Sequence, residues 1–180
     1  MKKSLPIGVC ILISLVLVLF GVLYGAVSGY TDEKKQVDAL LNGDNGLMDV
    51  LGYRGADGHN LCVVARRHLA NDPDVEKLSQ CAAILTDENQ PLAAKKAEND
   101  NLDANVAAVK AKLLETPSFQ ENQRDQQYLS MLEGDLRNLS GTDKISLYNQ
   151  AATEFNQRLE APGIGYLARM LGVSPLEMYE

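Results

Sequence analysis

The segment NLDANVAAVKAKLLE, residues 101–115, decides the fold class of this chain. Apolar side chains recur there at Leu102, Val106, Val109 and Leu113, so they share one stripe of an α-helix. Thr116-Pro117-Ser118 follows and ends the segment. The stretch therefore predicts an amphipathic helix that buries one face against a neighbour.

The same pattern extends to both sides of this segment. Leucines recur at helical spacing over residues 129–139, and apolar residues continue one face over 147–159. Upstream, Asn71-Asp72-Pro73 predicts a turn, with Asp72 as the N-cap of the next helix and Pro73 at its first position. Strand-like alternation is not sustained in any window. The sequence predicts an all-α fold, a long antiparallel up-and-down helical bundle.

A long uncharged segment precedes the bundle. Residues 5–27 are almost wholly apolar, and as a helix they would reach about 34 Å, enough to cross a hydrocarbon core of about 30 Å. Lys2 and Lys3 come before this run, and Asp32 and Glu33 follow it. The positive-inside tendency then keeps the amino end in the cytoplasm. We expect a single-pass protein of the inner (cytoplasmic) membrane, in contact with the lipid bilayer through residues 5–27, with an extracytoplasmic bundle.

A cleaved signal peptide is the alternative, with Ala26-Val27-Ser28 as the small-residue cleavage site. The apolar core of a signal peptide usually has about 7–15 residues, so this longer run favours a retained anchor. The predicted organisation is a membrane anchor over residues 1–30 and a helical bundle over 31–180. Cleavage would instead release a secreted periplasmic binding module.

Composition restricts the classes of function. The 180 residues carry a net charge of −7, and 46% of them are hydrophobic, which argues against wholesale disorder. Lys2 and Lys3 are the only charged residues before Asp32, so the remainder carries 15 basic and 24 acidic residues. Binding to nucleic acid requires a concentrated positive face. We therefore expect no nucleic-acid partner.

The last third of the chain contains two aromatic–asparagine pairs seven residues apart, Tyr148-Asn149 and Phe155-Asn156, and the stretch LARMLGV follows at 167–173. With these features it resembles the ending of the LemA family. The likeness is weaker over residues 53–62. The positions that match the family motifs are Arg54, Asn60, Leu61, Tyr148, Asn149, Phe155, Asn156, Pro162, Ala168 and Gly172.

This resemblance implies a bacterial membrane protein with one anchor, a helical bundle and no established catalytic activity. Some LemA-like proteins are implicated in shaping internal membranes. The expected role is a non-catalytic interaction or scaffold function in the cell envelope, through an unknown protein partner or self-association. No catalytic residue, metal site or cofactor is predicted. The two aromatic rings should point inward and the two amides should bond across the bundle, and packing is favoured over ligand binding.

Cys62 and Cys81 lie 19 positions apart around the Asn71-Asp72-Pro73 turn. In a helical hairpin centred on this turn they would face each other at equal height, where a disulfide could form in an oxidising compartment. Two small buried packing residues are the other interpretation. A thiol-active or metal-binding extracytoplasmic factor that uses these cysteines is the competing class of function.

Glycines recur every three residues at Gly52, Gly55 and Gly58. They indicate either a groove that another backbone approaches closely, in this chain or in a partner, or a weak helix.

Overall fold

The structure is a computed structural model that describes residues 6–179. Within that range it contains eight α-helices and no strand, which confirms the all-α prediction. Their bounds are α1 Ile7–Asn42, α2 Leu47–Ala65, α3 Pro73–Thr86, α4 Leu92–Glu115, α5 Pro117–Gln120, α6 Gln123–Ser140, α7 Lys144–Glu160 and α8 Ile164–Met170. The chain divides into two compact units. One consists of Met1–Asp38 with Gln150–Glu177, and the other of Ala39–Asn149 with Met178–Glu180.

The unit that contains α2 to α6 is a packed helical bundle. Helix α2 contacts α3, α4 and α6, and α3 also contacts α4. The predicted helix start is confirmed, because Asp72 caps α3 by accepting a hydrogen bond from the Asp74 amide (2.8 Å) and Pro73 is the first helical residue. The core of this unit is formed mainly by fully buried aliphatic side chains, among them Leu47, Leu51, Leu61, Leu78, Leu85, Leu102 and Leu113.

Two of the three spaced glycines lie where α2 meets α3. A Cβ added to Gly55 would come within 2.9 Å of the Ala82 carbonyl oxygen and the Leu85 Cβ. A Cβ on Gly58 would lie 3.2 Å from the Ala82 Cβ, whereas one on Gly52 would meet nothing within 4 Å. The close approach expected from the glycines is therefore made by a neighbouring helix of the same chain, at Gly55 and Gly58.

The other unit combines the first part of α1 with most of α7 and with α8. Phe155 and Leu159 of α7 are buried, as are Ala26 and Val37 of α1. After α8 the chain turns at Gly172, which has a φ of +100°. The Gly172 amide bonds to the Arg169 carbonyl (3.1 Å) and the Val173 amide to the Ala168 carbonyl (3.0 Å), the pattern of a Schellman C-cap.

Helix α1 is longer than the sequence pattern suggested. The described part of the predicted anchor continues through residues 31–42 as one helix, Ile7–Asn42, without a break. Residues 1–5 of the predicted anchor lie outside the described residues. No proline lies between Ile7 and Asn42, so every backbone amide can join the helical hydrogen-bond ladder. A short helix that the pattern did not indicate, α5, begins at Pro117 directly after Thr116.

Candidate functional site

The first part of α1 is an apolar surface without protein cover. All described residues before Leu23 are exposed. Large aliphatic side chains on different faces of the helix are more than half exposed, for example Leu15 (63%) and Leu17 (66%). Among the described residues, this is the one helix that is long and apolar enough to cross a membrane, judged by length and composition.

The aromatic residues of the two motif pairs are buried. Tyr148 and Phe155 are both 0% exposed, in agreement with the inward orientation that the sequence analysis expects. The ring of Tyr30 meets the ring of Phe155 edge to face, with 6.2 Å between the centroids. Each ring therefore contributes to a hydrophobic core.

The asparagines of the pairs bond to the segment that follows α8. In the first unit, Asn156 donates from Nδ2 to the Leu176 carbonyl (2.9 Å) and accepts from the Leu176 amide at Oδ1 (2.8 Å). In the second unit, Asn149 makes the same pair of bonds with Tyr179, at 2.8 and 3.0 Å. In each case, one asparagine side chain satisfies both the amide and the carbonyl of a single residue, Leu176 or Tyr179. A neighbouring strand would do the same in a sheet. These amides were expected to bond across the bundle, and in the structure their partners are backbone groups of the segment after α8.

The other motif positions fall in three environments. Leu61 and Ala168 are fully buried, and Asn60 and Pro162 are exposed. Arg54 is buried, and its Nη2 bonds to the Asp103 carboxylate at 2.7 Å.

Tyr179 belongs to the same unit as Arg54. Its phenol is buried, and burial, with a smaller effect of the Asp100 carboxylate, raises the pKa of Tyr179 to about 12. The ring therefore stays neutral at physiological pH. Tyr179 thus contributes a buried neutral phenol to the unit that contains α2 to α6.

Cys62 and Cys81 are not joined in the structure, in contrast to the disulfide that their spacing suggested. The Cys62 thiol donates to the Val75 carbonyl (3.6 Å), so it lies at the height of Val75. Cys81 is six residues further along α3, about 9 Å of helix rise, whereas a disulfide needs Cα atoms about 4.4–6.8 Å apart. The reason is the position of the turn. Because α2 ends at Ala65 and α3 begins at Pro73, the hairpin is centred near residue 69 and not at 71–73.

Both thiols are also in surroundings that favour the protonated form. Burial raises the pKa of Cys62 to about 11 and that of Cys81 to about 12, where the Glu98 side chain adds to the effect. The Cys81 thiol donates to the Glu98 carbonyl (3.1 Å). A reactive cysteine needs a lowered pKa and access to solvent. Within residues 6–179, no group of three or more His, Cys, Asp and Glu side chains could hold a metal ion.

One buried polar network was not predicted from the sequence. The Asp125 carboxylate, 1% exposed, bonds to Arg67 Nη1 (2.6 Å) and to His68 Nε2 (2.9 Å). The other ring nitrogen of His68 bonds to Ser118 Oγ (3.0 Å). In serine hydrolases the nucleophile faces Nε2 and the carboxylate faces Nδ1, the reverse of this arrangement. The network joins the connection after α2 to α5 and α6. In the sequence, it was signalled by the spacing Asn122-x-x-Asp125, which resembles a capping box at the start of α6.

Lys95 is a second buried charge that sequence reasoning missed. It is 1% exposed, and its ammonium donates to the carbonyls of Leu85 (2.6 Å) and Ile84 (3.4 Å) at the end of α3. Burial lowers the pKa of Lys95. The ammonium satisfies carbonyls that have no partner within the helix and complements the negative end of its dipole. One lysine among many in the sequence gives no signal for this role.

Comparison with known proteins adds no assignment to this geometry. A scan against protein-family models, a search of curated proteins and a search of solved structures each find no match to this chain.

Proposed function

We propose that this protein is a membrane-anchored helical-bundle protein of the LemA type, with a non-catalytic interaction or scaffold role in the bacterial cell envelope. The observation that carries the proposal is the exposed apolar part of α1, which continues without a break into a folded unit. In water, each large aliphatic side chain of this helix would forgo about 1.5–3 kcal/mol of transfer free energy. A bilayer supplies the missing apolar surroundings along the whole run.

The contacts of α1 beyond the apolar run support a retained anchor. The Tyr30 hydroxyl donates to the Arg158 carbonyl (3.0 Å), and Lys34 Nζ donates to Ser174 Oγ (2.6 Å). Glu33 pairs with the Arg158 guanidinium. Residues that follow the run are thus part of the folded unit, and the same helix leads from this unit into the proposed membrane segment.

The LemA part of the proposal is supported by the structural roles of the motif residues. The aromatic rings of both motif pairs are buried, and the amides of Asn149 and Asn156 each fix one residue of the last segment. These are structural roles, as expected for positions that define a bundle. Motif positions that serve the packing of the fold are also consistent with a scaffold role for the protein.

Extraction of membranes at alkaline pH tests the anchor. The full-length protein should stay in the membrane pellet. The double variant L15R/L19R should move into the soluble fraction, because each arginine near the centre of a membrane helix costs about 2.5–3.5 kcal/mol. Leu15 and Leu19 are 63% and 55% exposed, so the folded units should tolerate the change. The control is L114R, the same substitution at an exposed leucine of α4 (50%), which should remain in the pellet. Release of the unsubstituted protein would refute the proposal.

The intact mass of the protein purified from membranes separates an anchor from a cleaved signal peptide. A retained anchor gives the mass of the complete sequence. Cleavage at Ala26-Val27-Ser28 would remove the apolar run, so the measured mass would be lower by the mass of that segment. The protein would then be a secreted module. The second result would contradict the proposed anchor.

A further inference from the structure

The short helix α8 presents an apolar surface to solvent. Three of its residues and the neighbouring Leu171 are large and apolar, and all four are about half exposed or more: Ile164 (56%), Tyr166 (58%), Met170 (67%) and Leu171 (49%). The only charged side chain in the helix is Arg169, which is exposed as well. Such a concentration of apolar side chains within eight residues differs from the scattered single residues of an ordinary protein surface.

The opposite side of α8 is pressed against the end of α7. Gly165 and Ala168 are the buried residues of the helix. A Cβ on Gly165 would lie 2.1 Å from the Arg158 carbonyl oxygen, so a glycine is required at this contact. Helix α8 is therefore held in one orientation, with Tyr166 and Met170, four residues apart, directed away from its buried side.

The same contact gives the position of α8 along α1. The Arg158 carbonyl that Gly165 touches accepts the hydrogen bond from the Tyr30 hydroxyl (3.0 Å). Tyr30 comes three residues, about 4.5 Å of helix rise, after Val27, the last residue of the apolar run. The side chain of a helical residue leans toward the amino end, so the Tyr30 hydroxyl lies still closer to the run. The start of α8 is consequently level with the end of the apolar run.

We propose that α8 and Leu171 form a second contact with the lipid bilayer, in which Ile164, Tyr166, Met170 and Leu171 enter the membrane surface beside the anchor. This inference rests on the proposed membrane function. Its occupant is the lipid surface, because the start of α8 is level with the end of the proposed lipid-facing run of α1 and both belong to the same compact unit. The side chains suit that depth: a tyrosine places its ring among the headgroups, and the arginine can extend its guanidinium to water.

The chain contains no tryptophan, so a single introduced tryptophan reports its own surroundings without background. Three full-length variants are placed in vesicles of phosphatidylcholine, with and without lipids brominated near the headgroup end of the acyl chains. M170W reports α8 and F20W reports the anchor. M131W is the matched control, a methionine of α6 with 53% exposure. Circular dichroism checks that each variant keeps the helical content of the parent.

We expect brominated lipid to quench F20W and M170W and to leave M131W unquenched. The emission of M170W should also lie to the blue of that of M131W. If F20W is quenched and M170W behaves as M131W does, α8 does not touch lipid, and the inference is overturned while the anchor stands. If F20W is not quenched, the anchor proposal itself fails. A blue-shifted but unquenched M170W indicates a protein contact, such as a second copy of the chain, and also overturns the lipid contact.

Discussion

At the scale of single residues, the surroundings of Cys62 and Cys81 determine their chemistry. Their pKa values, raised to about 11 and about 12, leave only a small fraction as thiolate at pH 8, and thiolate is the form that reacts with alkylating reagents. We expect native protein at pH 8 to label slowly at both positions and unfolded protein to label fully. Peptide mass spectrometry after a timed iodoacetamide pulse measures this.

Denatured protein serves as the control for reagent and detection. Fast native labelling of either residue would show an accessible thiolate and would favour the thiol-active class of function. If both resist even at long times and label only on unfolding, their role is packing, the other interpretation of their spacing.

The sequence located these two residues on facing helices but not their relative height. Residue types such as Asn71-Asp72-Pro73 identify where a helix begins, and the cap at Asp72 was predicted correctly. They do not show how far the preceding helix runs, and α2 ends at Ala65 with its last carbonyls bonded by the loop. An error of two or three residues in the centre of a turn doubles across a hairpin, which is enough to separate two thiols.

At the scale of helices, the α2–α3 contact requires a glycine at position 55 but not at position 52. Gly55→Ala places a methyl group within 2.9 Å of α3 backbone and side-chain atoms, so the helices must separate. We expect a net destabilisation of about 1–2 kcal/mol, from overpacking of about 1–3 kcal/mol against a gain in helix propensity of about 1 kcal/mol. Urea unfolding monitored by circular dichroism gives the free energy.

Gly52→Ala is the matched control, because a Cβ there meets nothing within 4 Å. This variant should be stabilised by up to about 1 kcal/mol, since only the propensity term applies. Equal effects at Gly52 and Gly55 would mean that α3 does not approach α2 as the structure describes.

The start of α3 is also joined to α4 by charge. Lys112 Nζ lies 2.8 Å from an Asp72 oxygen and 2.7 Å from an Asp74 oxygen. Hydrogen bonds from the Lys112 ammonium lower the pKa of both carboxyls from 3.8, and the two carboxylates raise the pKa of Lys112 from 10.5. Carboxyls with lowered pKa values add stability above their unfolded-state pKa and lose it as the pH falls through the folded values. The lysine adds stability below its unfolded-state pKa and loses it at higher pH.

Lys112→Met should therefore lower the melting temperature at pH 7, and the difference from the parent protein should shrink as the pH falls below 3.8 or rises above 10.5. Thermal melts across that range measure the effect. Lys96→Met is the comparison, because Lys96 pairs with an exposed aspartate within its own helix and such pairs contribute little. A difference independent of pH would exclude the ion pairs as its cause.

Helix-level prediction succeeded where the signal is local. The apolar stripes of α4 and α6 follow from the spacing of a few leucines and valines. In an amphipathic helix, this spacing determines which face is buried against the core. The partners of Asp125 and Lys95 were out of reach, since they lie on segments that only the tertiary fold brings together. A buried charge looks like a solvated one until its neighbours are known.

At the scale of the whole molecule, the distribution of charge along the chain predicts an orientation of the proposed anchor. Lys2 and Lys3 are the only charged residues before the apolar run, and Asp32 and Glu33 are the first after it. The proposed anchor thus has a positive flank and a flank that begins with two acidic residues. Because positive flanks tend to remain in the cytoplasm, we expect the residues after the run to be exported.

The double variant K2E/K3E should reverse or mix this orientation, because it removes the positive flank while leaving the apolar run and both folded units unchanged. Protease added to intact spheroplasts should digest the bundle of the parent protein and spare a large share of the variant. Lys35→Glu is the control: Lys35 follows the run, and its exposed side chain bonds to Asp32 three residues earlier. Greater acidity on that side should leave the bundle fully accessible. Protection of the parent protein would place the bundle in the cytoplasm and require that something other than these charges sets the orientation.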